Sequence, residues 1–308
     1  MLVLNSNTAY TGDKKDLPGY WPVFGYIPAI ALSLRKLSSS YSGPAIRVRR
    51  STDNAETDIG FTSSGDLDTA ALLSFCGSGN GFVSVWYDQS GNGFNATRSG
   101  AAGQPRIVSA GVVDLMGTKP GVRFDGTDDA LSMVTAVAAL AGKTGLSSSI
   151  VFRLRAVPTA AASFFTFYKS ASSSGDTVRR RYNLGAGFQN QDKNLLQVIS
   201  TQAATGNADI VTDATPVTLN KNIVARSYLD LTNSIQGIAL DSSAWVTGGT
   251  SGSATGSFDS ALLGGGPWAA GNPGEVSFLN VSEFILVDAK NDFFLNNIVT
   301  NQKKYFTD

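Results

Sequence analysis

The chain has 308 residues, enough to bury a large core in one big domain with an appendage or in two smaller domains. The chain has 24 basic and 24 acidic side chains, so we expect no large basic surface. Nucleic acid is therefore an unexpected partner. Histidine is absent, which excludes Ser-His-Asp and Cys-His catalysis and any zinc site built on imidazole. Carboxylate chemistry, Ca²⁺ held by oxygen ligands and pure binding remain possible, and no other cofactor is expected.

The 33 glycines and scarce glutamates favour strands joined by turns over long helices. The lone cysteine, Cys76, offers no intramolecular disulfide. The first residues lack the basic and apolar regions of a signal peptide, and no stretch approaches the ~20 apolar residues of a membrane span. We therefore expect a protein made in the cytosol without a membrane anchor.

Residues 1 to about 30 differ from the rest of the chain in their proline and aromatic content. Prolines at this density prevent a regular helix or a central strand, yet the aromatic side chains should be buried somewhere. Two interpretations stay open: an extended arm packed on its own domain, or an arm that docks on a neighbouring subunit. In the second, the partner-binding residues would include Tyr20, Trp21, Phe24 and Tyr26.

The next segment, Pro28–Ser39, is predicted to form a short helix. Proline suits a first helical turn, and Ile30, Leu34 and Leu37 share one helical face. Ala45–Arg50 then alternates apolar and basic residues, which predicts a half-buried strand.

A second short helix is predicted at Asp68–Phe75, with Asp68 as its N-cap, and a core strand follows at Gly81–Tyr87. The chain ends in a predicted helix, Asn291–Tyr305, capped by Asn291. Between them, further strands are predicted at Ser147–Leu154, Ser163–Tyr168, Asn222–Asp230, Ser234–Leu240 and Glu283–Asp288.

The most distinctive motif is Val85–Gly93, in which an aromatic strand stops at an Asp and turns through Ser-Gly-Asn-Gly. Asp88 and Asn92 can cap such a turn through hydrogen bonds with backbone N–H groups. Alternatively these side chains could bind a sugar hydroxyl, and Asp88 could ligate Ca²⁺.

Residues 34–105, which include this motif, contain several segments that resemble those of a known enzyme family. In order and spacing they make the region similar to the N-terminal half of the fungal and bacterial α-L-arabinofuranosidases with a β-sandwich catalytic domain. The matching segments are Tyr41–Pro44, Val48–Ala55, Asp58–Gly60, Phe75–Cys76 and Tyr87–Gly91.

In that family the catalytic carboxylates lie further downstream, in a stretch with adjacent cysteines, an aromatic-Asp pair and a Glu. No segment of this chain matches that stretch, and Cys76 lacks the second cysteine usual a few residues later. The resemblance therefore implies a retained scaffold, and we expect no enzymatic activity.

A second resemblance begins at Lys119–Leu131, where a strand ending in Phe-Asp-Gly leads into an acidic turn, as in laminin-G-like, concanavalin-type domains. Glu283–Asp288 is similar to the last strand of such modules. Together they imply an all-β fold, a concanavalin A-like jelly-roll β-sandwich over residues 41–308 with a few short helices. An extended N-terminal arm with a short helix, residues 1–40, would precede the sandwich.

Three carboxylates of the acidic turn, Asp125, Asp128 and Asp129, could hold Ca²⁺ or could form a solvated turn. Trp268 lies on a loop rich in Gly and Pro and could stack on a sugar ring, with local packing as the alternative.

The basic residues Arg47 and Arg49 could bind an acidic partner or lie on a solvated strand face. The late glutamates, Glu275 and Glu283, are expected to be structural, although a glycosidase would need such a carboxyl pair.

Chains that pair these two halves resemble virion proteins of tailed bacteriophages, such as capsid decoration proteins, tail appendages and fibres. We therefore expect a non-enzymatic, homo-oligomeric virion component, anchored by its arm to other virion proteins and able to contact a host-surface glycan through its loops. A glycoside hydrolase of α-L-arabinofuranosidase type and a stand-alone carbohydrate-binding module stay open as alternatives, because fold alone does not decide function.

Overall fold

The structure is a computed structural model, and it describes residues 27–168, 181–186, 195–201, 208–250, 258–266 and 277–306. Strands dominate this part of the chain, so the predicted all-β class is confirmed. Several predicted features lie outside the described residues: the arm with Tyr20, Trp21, Phe24 and Tyr26, and the loop with Trp268 and Glu275. The proposed division at residue 40 stays a prediction.

The first part of the chain forms short strands around one helix. The strands are β1 (Ile30–Ser33), β2 (Ile46–Arg50), β3 (Glu56–Ile59), β4 (Gly81–Trp86), β5 (Ala96–Thr97), β6 (Arg106–Ser109), β7 (Val112–Val113), β8 (Leu115–Met116), β9 (Lys119–Pro120), β10 (Val122–Asp125) and β11 (Leu131–Ser132). Helix α1 (Thr69–Cys76) precedes β4.

The second part carries the longer strands. They are β12 (Gly145–Leu154), β13 (Ala162–Tyr168), β14 (Arg181–Ala186), β15 (Leu196–Thr201), β16 (Ala208–Thr212), β17 (Asn222–Asp230), β18 (Ile235–Leu240), β19 (Val246–Gly249), β20 (Ser260–Leu263) and β21 (Phe278–Val287). The helices here are a 3₁₀ turn (Val134–Ala136), α2 (Val137–Leu140) and α3 (Asp292–Tyr305).

One layer of the fold is built on the antiparallel pair β12 and β21, which run side by side from Ser147↔Val287 to Leu154↔Leu279. On the far side of β12 follow β17, β18 and β19 in antiparallel order. The other edge of β21 is shared between β1 and β10, and β6 pairs beyond β10.

The second layer consists of β16, β15, β14, β13, β20, β11 and β5, each hydrogen-bonded to the next. Strand β4 pairs with β2, β5 and β6 and so joins the two layers into one hydrogen-bonded system. Between the layers the core is aromatic: ring centroids of Phe152 and Phe164 lie 4.9 Å apart, and those of Phe165 and Phe284 lie 5.0 Å apart. Side chains alternate along each strand, so those on one face of a layer pack between the two layers and those on the other face point away from this core.

The helix predicted over Pro28–Ser39 is wrong. The segment forms strand β1, whose four residues are all buried and pair with β21 from Ile30↔Leu286 to Ser33↔Glu283. Helix α3 covers the outer face of this pair and buries Ala31 together with Ile298. A segment that is apolar on both faces has no solvent face left for a helix stripe, and cross-strand pairing decides its conformation.

The other predicted elements in the described ranges are confirmed. Asp68 caps α1 by accepting a hydrogen bond from the Ala71 N–H, and Asn291 caps α3 by accepting from the Phe294 N–H. The late strand is longer than predicted, because β21 begins at Phe278 and Glu283 lies in its middle. Among the described residues, no helix is long and apolar enough to cross a membrane.

Candidate active site at the acidic turn

The turn between β10 and β11 brings three carboxylates together. Backbone hydrogen bonds shape it: Asp125 Oδ1 accepts from the Thr127 N–H at 2.8 Å, and Asp129 Oδ2 accepts from the Asp125 N–H at 2.9 Å. As a result, one carboxylate oxygen each of Asp125, Asp128 and Asp129 lies within 4.8 Å of the others. No other three acidic side chains in the described part of the chain come this close.

Burial differs sharply within this cluster. Asp125 is exposed to solvent, whereas Asp129 is only 7% exposed. Loss of hydration, followed by the negative charge of Asp125, raises the pKa of Asp129 from 3.8 to about 7. The turn therefore offers one carboxyl that can hold a proton near neutral pH beside a carboxylate in contact with solvent.

Two glycines fix this turn against the connection between β20 and β21. Gly126 has φ +75°, and a Cβ there would lie 3.1 Å from Cβ of Phe278. Gly264, with φ +88°, packs so closely on Phe124 that a Cβ would lie 2.1 Å from the ring. The Ser277 N–H donates to the Gly264 carbonyl at 3.1 Å, so both ends of the connection meet beside the acidic turn.

The opposite wall of the turn is formed by the segment before β6. The Ala130 N–H donates to the Gly103 carbonyl at 3.1 Å. Arg98 lies beside the same glycine, and its charge partly offsets the rise in the Asp129 pKa. Asp129 is thus enclosed by protein on two sides, which accounts for its lost hydration.

Asp88 caps its turn. Its carboxylate accepts hydrogen bonds from the backbone of Ala31, Ser90 and Phe94 at 2.8–3.0 Å and from the Ser90 hydroxyl at 2.7 Å. The side chain is buried, so these donors satisfy it within the fold. Asn92 is exposed and donates to the carbonyls of residues 28 and 29. The Asp88 contacts fit the capping interpretation, whereas the Asn92 amide binds carbonyls of the segment before β1 and not N–H groups of its own turn. A ligand role for either residue stays a prediction.

The predicted partner-binding arginines are occupied within the small sheet of β2, β3 and β4. Arg47 binds both carboxylate oxygens of Asp58 at 2.8 and 3.0 Å. Arg49 donates to Gln104 at 2.7 Å and to Asn54 at 2.8 Å. Both guanidinium groups therefore have intramolecular acceptors.

Glu283 is fully buried and forms an ion pair with Arg35, whose side chain is 4% exposed. A carboxylate so enclosed cannot reach a substrate, which agrees with the structural role expected for it.

The first third of the chain is similar in sequence to known α-L-arabinofuranosidases. A family model described as "Alpha-L-arabinofuranosidase B, catalytic" matches residues 25–121. Over 81 residues the chain is 37% identical to an α-L-arabinofuranosidase of Hypocrea jecorina, and over 82 residues it is 39% identical to a probable α-L-arabinofuranosidase B of Aspergillus fumigatus. Each match covers 26% of this chain and 16% of the relative, so the chain matches about a sixth of their length.

Solved structures extend the likeness in fold to most of the chain. An arabinofuranosidase complexed with arabinofuranosyl-α-1,2-xylobiose superposes with a TM-score of 0.64 at 18% identity, covering 92% of this chain and 63% of that one. A GH54 α-L-arabinofuranosidase soaked with a cyclic sulfate inhibitor gives a TM-score of 0.65 over the same shares. At this identity the likeness establishes a common fold.

These findings correct the sequence-based interpretation of function. The prediction of a virion protein with capsid or tail partners is wrong, because the matched proteins are arabinofuranosidases. The partner-binding role expected for the arm, Arg47 and Arg49 stays a prediction. The expectation of no enzymatic activity is also wrong, because the matching family model describes a catalytic domain.

Proposed function

We propose that the chain is a glycoside hydrolase that acts on α-L-arabinofuranosyl groups. The observation that carries this proposal is the catalytic-domain match over residues 25–121 together with the arabinofuranosidase fold over 92% of the chain. The absence of histidine and the single cysteine agree with it, since glycoside hydrolysis needs only a pair of carboxyl groups.

The acidic turn supplies the carboxyl groups to test first. One member of a glycosidase pair must carry a proton to the leaving oxygen, and its pKa must lie near the working pH. The pKa of Asp129, raised to about 7, suits this acid role. Asp125 or Asp128 would be the second carboxyl, as nucleophile or base, because both side chains are more accessible to solvent than Asp129.

The spacing of these groups favours one stereochemical outcome. Retaining enzymes hold their carboxyl groups about 5–5.5 Å apart, and inverting enzymes hold them about 6.5–9.5 Å apart to admit a water. Oxygens of the acidic turn lie within 4.8 Å of one another. We therefore expect the configuration at the anomeric carbon to be retained.

The test is release of nitrophenol from nitrophenyl α-L-arabinofuranoside by the purified chain, with nitrophenyl β-D-glucopyranoside as the substrate control. Asp129→Asn should lower kcat at least about a hundredfold, because a general acid contributes roughly 10²–10⁴. Asp53→Asn is the matched control, since Asp53 is exposed and pairs only locally with Arg50 at 2.7 Å.

Two results would separate the parts of the proposal. Hydrolysis that survives neutralisation of Asp125, Asp128 and Asp129 would keep the activity and reject this turn as its source. Glu275→Gln would then be the next variant. An arabinoside that binds without being cleaved by the unmodified chain would reject the hydrolase.

A further inference from the structure

A cavity of about 410 Å³ lies at one end of the layer that contains β12, β17 and β21. Its walls come from residues 142–145 at the start of β12, residues 230–233 at the β17–β18 turn and residues 288–290 between β21 and α3. This volume falls within the roughly 300–1,000 Å³ of small-molecule sites. Strand β21 runs for about 30 Å from Phe278, which pairs with Asp125, to Val287. The cavity is therefore at the opposite end of β21 from the acidic turn.

One wall of the cavity carries a buried carboxylate with unused acceptor sites. The side chain of Asp230 is only 6% exposed. It accepts two hydrogen bonds, from the Asn233 N–H at 3.1 Å and from Nδ2 of the same residue at 2.8 Å. A carboxylate has about four acceptor sites, so about two remain for a ligand. The exposed side chains of Thr144 and Thr232 add hydroxyl groups to the lining.

A neighbouring wall carries an ammonium group that makes no close hydrogen bond. Nζ of Lys290 lies 3.9 Å from Asp230, 3.5 Å from Asp292 and 4.8 Å from the ring centroid of Tyr228. The two N···O distances exceed the 2.7–3.2 Å of a good hydrogen bond, so the ammonium donors are available to a ligand. Gly145 permits this arrangement, because a Cβ there would lie 2.6 Å from the backbone nitrogen of Lys290.

The charges that line the cavity cancel. Lys143 binds Asp288 at 2.6 Å, and Lys290 faces Asp230. A small anion would meet two carboxylates here, and a metal cation would meet two ammonium groups, so charge favours neither ligand. A neutral ligand that both donates and accepts hydrogen bonds matches this lining best.

We propose that this cavity binds one neutral sugar unit of a polysaccharide. Neighbouring hydroxyl groups of a sugar can donate to the unused acceptor sites of Asp230, and a sugar oxygen can accept from Lys290. Hydrogen bonds in which one partner is ionised are the stronger ones. The bonds from Asn233 already fix the Asp230 carboxylate, so little side-chain freedom is lost when a sugar binds. The site concerns binding alone and stands whether or not the acidic turn is catalytic.

The test is NMR of the ¹⁵N-labelled full chain, titrated in the millimolar range with three neutral glycosides. These are methyl β-D-xylopyranoside, methyl α-L-arabinofuranoside and methyl β-D-galactopyranoside. At least one should shift the amide signals of Gly142, Gly145 and Asn233 along a saturable curve. Signals of Gly126 and Thr127 report the acidic turn separately, so a failure of the proposed hydrolysis is distinguishable from a failure here. Inorganic phosphate and Ca²⁺ are the ionic comparison ligands.

Asp230→Asn should weaken sugar binding at least about tenfold, because it removes the charged acceptor. The matched control is Asp213→Asn. Asp213 is also a buried turn residue, 3% exposed, and accepts from the Thr215 N–H at 2.8 Å, but it does not line the cavity. Its substitution should change affinity less than about twofold.

A second variant decides the question if Asp230→Asn fails to fold. Thr144→Tyr fills the cavity from an exposed position and keeps the hydrogen bond from the Leu231 N–H to the carbonyl of residue 144. It should abolish binding without lowering the melting temperature.

Four results would overturn the proposal. The first is the absence of a saturable shift at Gly142, Gly145 and Asn233 with all three glycosides. The second is a shift of these signals by phosphate or Ca²⁺ at lower concentrations than by any glycoside. The third is unchanged affinity in Thr144→Tyr, and the fourth is an equal loss of affinity in the folded Asp213 and Asp230 variants.

Discussion

Replacing Glu283 with glutamine should destabilise the fold by about 3–5 kcal/mol. The Glu283 carboxylate is fully buried and accepts from Nε of Arg35 at 2.8 Å, from the Ser33 hydroxyl at 2.8 Å and from the Gln302 amide at 3.0 Å. Arg35 also donates to Asn301 and lies 4.4 Å from the Tyr305 ring centroid. The pair therefore joins β1 and β21 to helix α3, and glutamine would remove the buried carboxylate that Arg35 binds.

The expected shift in melting temperature follows from the size of the chain. Unfolding entropy is about 2.1 cal/mol/K per residue, so 308 residues give about 0.65 kcal/mol/K. A loss of about 4 kcal/mol then lowers the melting temperature by about 6 °C. Urea unfolding at 25 °C gives the free energy, and hydrogen exchange on α3 shows whether the helix is released first.

Glu56→Gln is the matched control for this prediction, because Glu56 is exposed on β3 and the same substitution there should cost less than about 0.5 kcal/mol. Arg35→Met/Glu283→Gln removes both charges and should recover part of the loss. A cost of Glu283→Gln below about 1 kcal/mol, or a double variant no more stable than the single one, would refute the argument that breaking the buried Arg35–Glu283 pair causes the loss.

Two further predictions concern acidic residues. The folded-state pKa of Asp129, about 7, is above its ordinary 3.8, so its contribution to stability is fully present below about pH 4 and is lost as the pH rises through 7. Asp129→Asn should therefore match the unmodified chain at pH 4 and exceed it by on the order of 2–4 kcal/mol at pH 8 in urea unfolding, whereas a difference independent of pH would contradict this. Asp88→Ala removes the acceptor of three backbone N–H groups and one hydroxyl, and should cost on the order of 3 kcal/mol in the same assay. Unchanged stability with lost arabinoside binding would instead make Asp88 a ligand-binding residue.

Much of the fold could be predicted from local patterns. Alternation along Ala45–Arg50 identified β2, and the capping residues Asp68 and Asn291 located the starts of α1 and α3. Local patterns failed at Ile30–Ser33, because a short apolar run that is buried on both faces can match a helical period by chance. Pairing with the distant strand β21 determines the conformation of this segment, and local sequence patterns carry no information about that pairing.

The site was predictable only in part. Asp125, Asp128 and Asp129 are visible as a cluster in the sequence, but the raised pKa of Asp129 depends on its burial beside Gly103 and Arg98. Function was misjudged for a related reason. The expectation of an absent active site depends on a comparison of short downstream motifs, whereas the family model that matches residues 25–121 describes a catalytic domain.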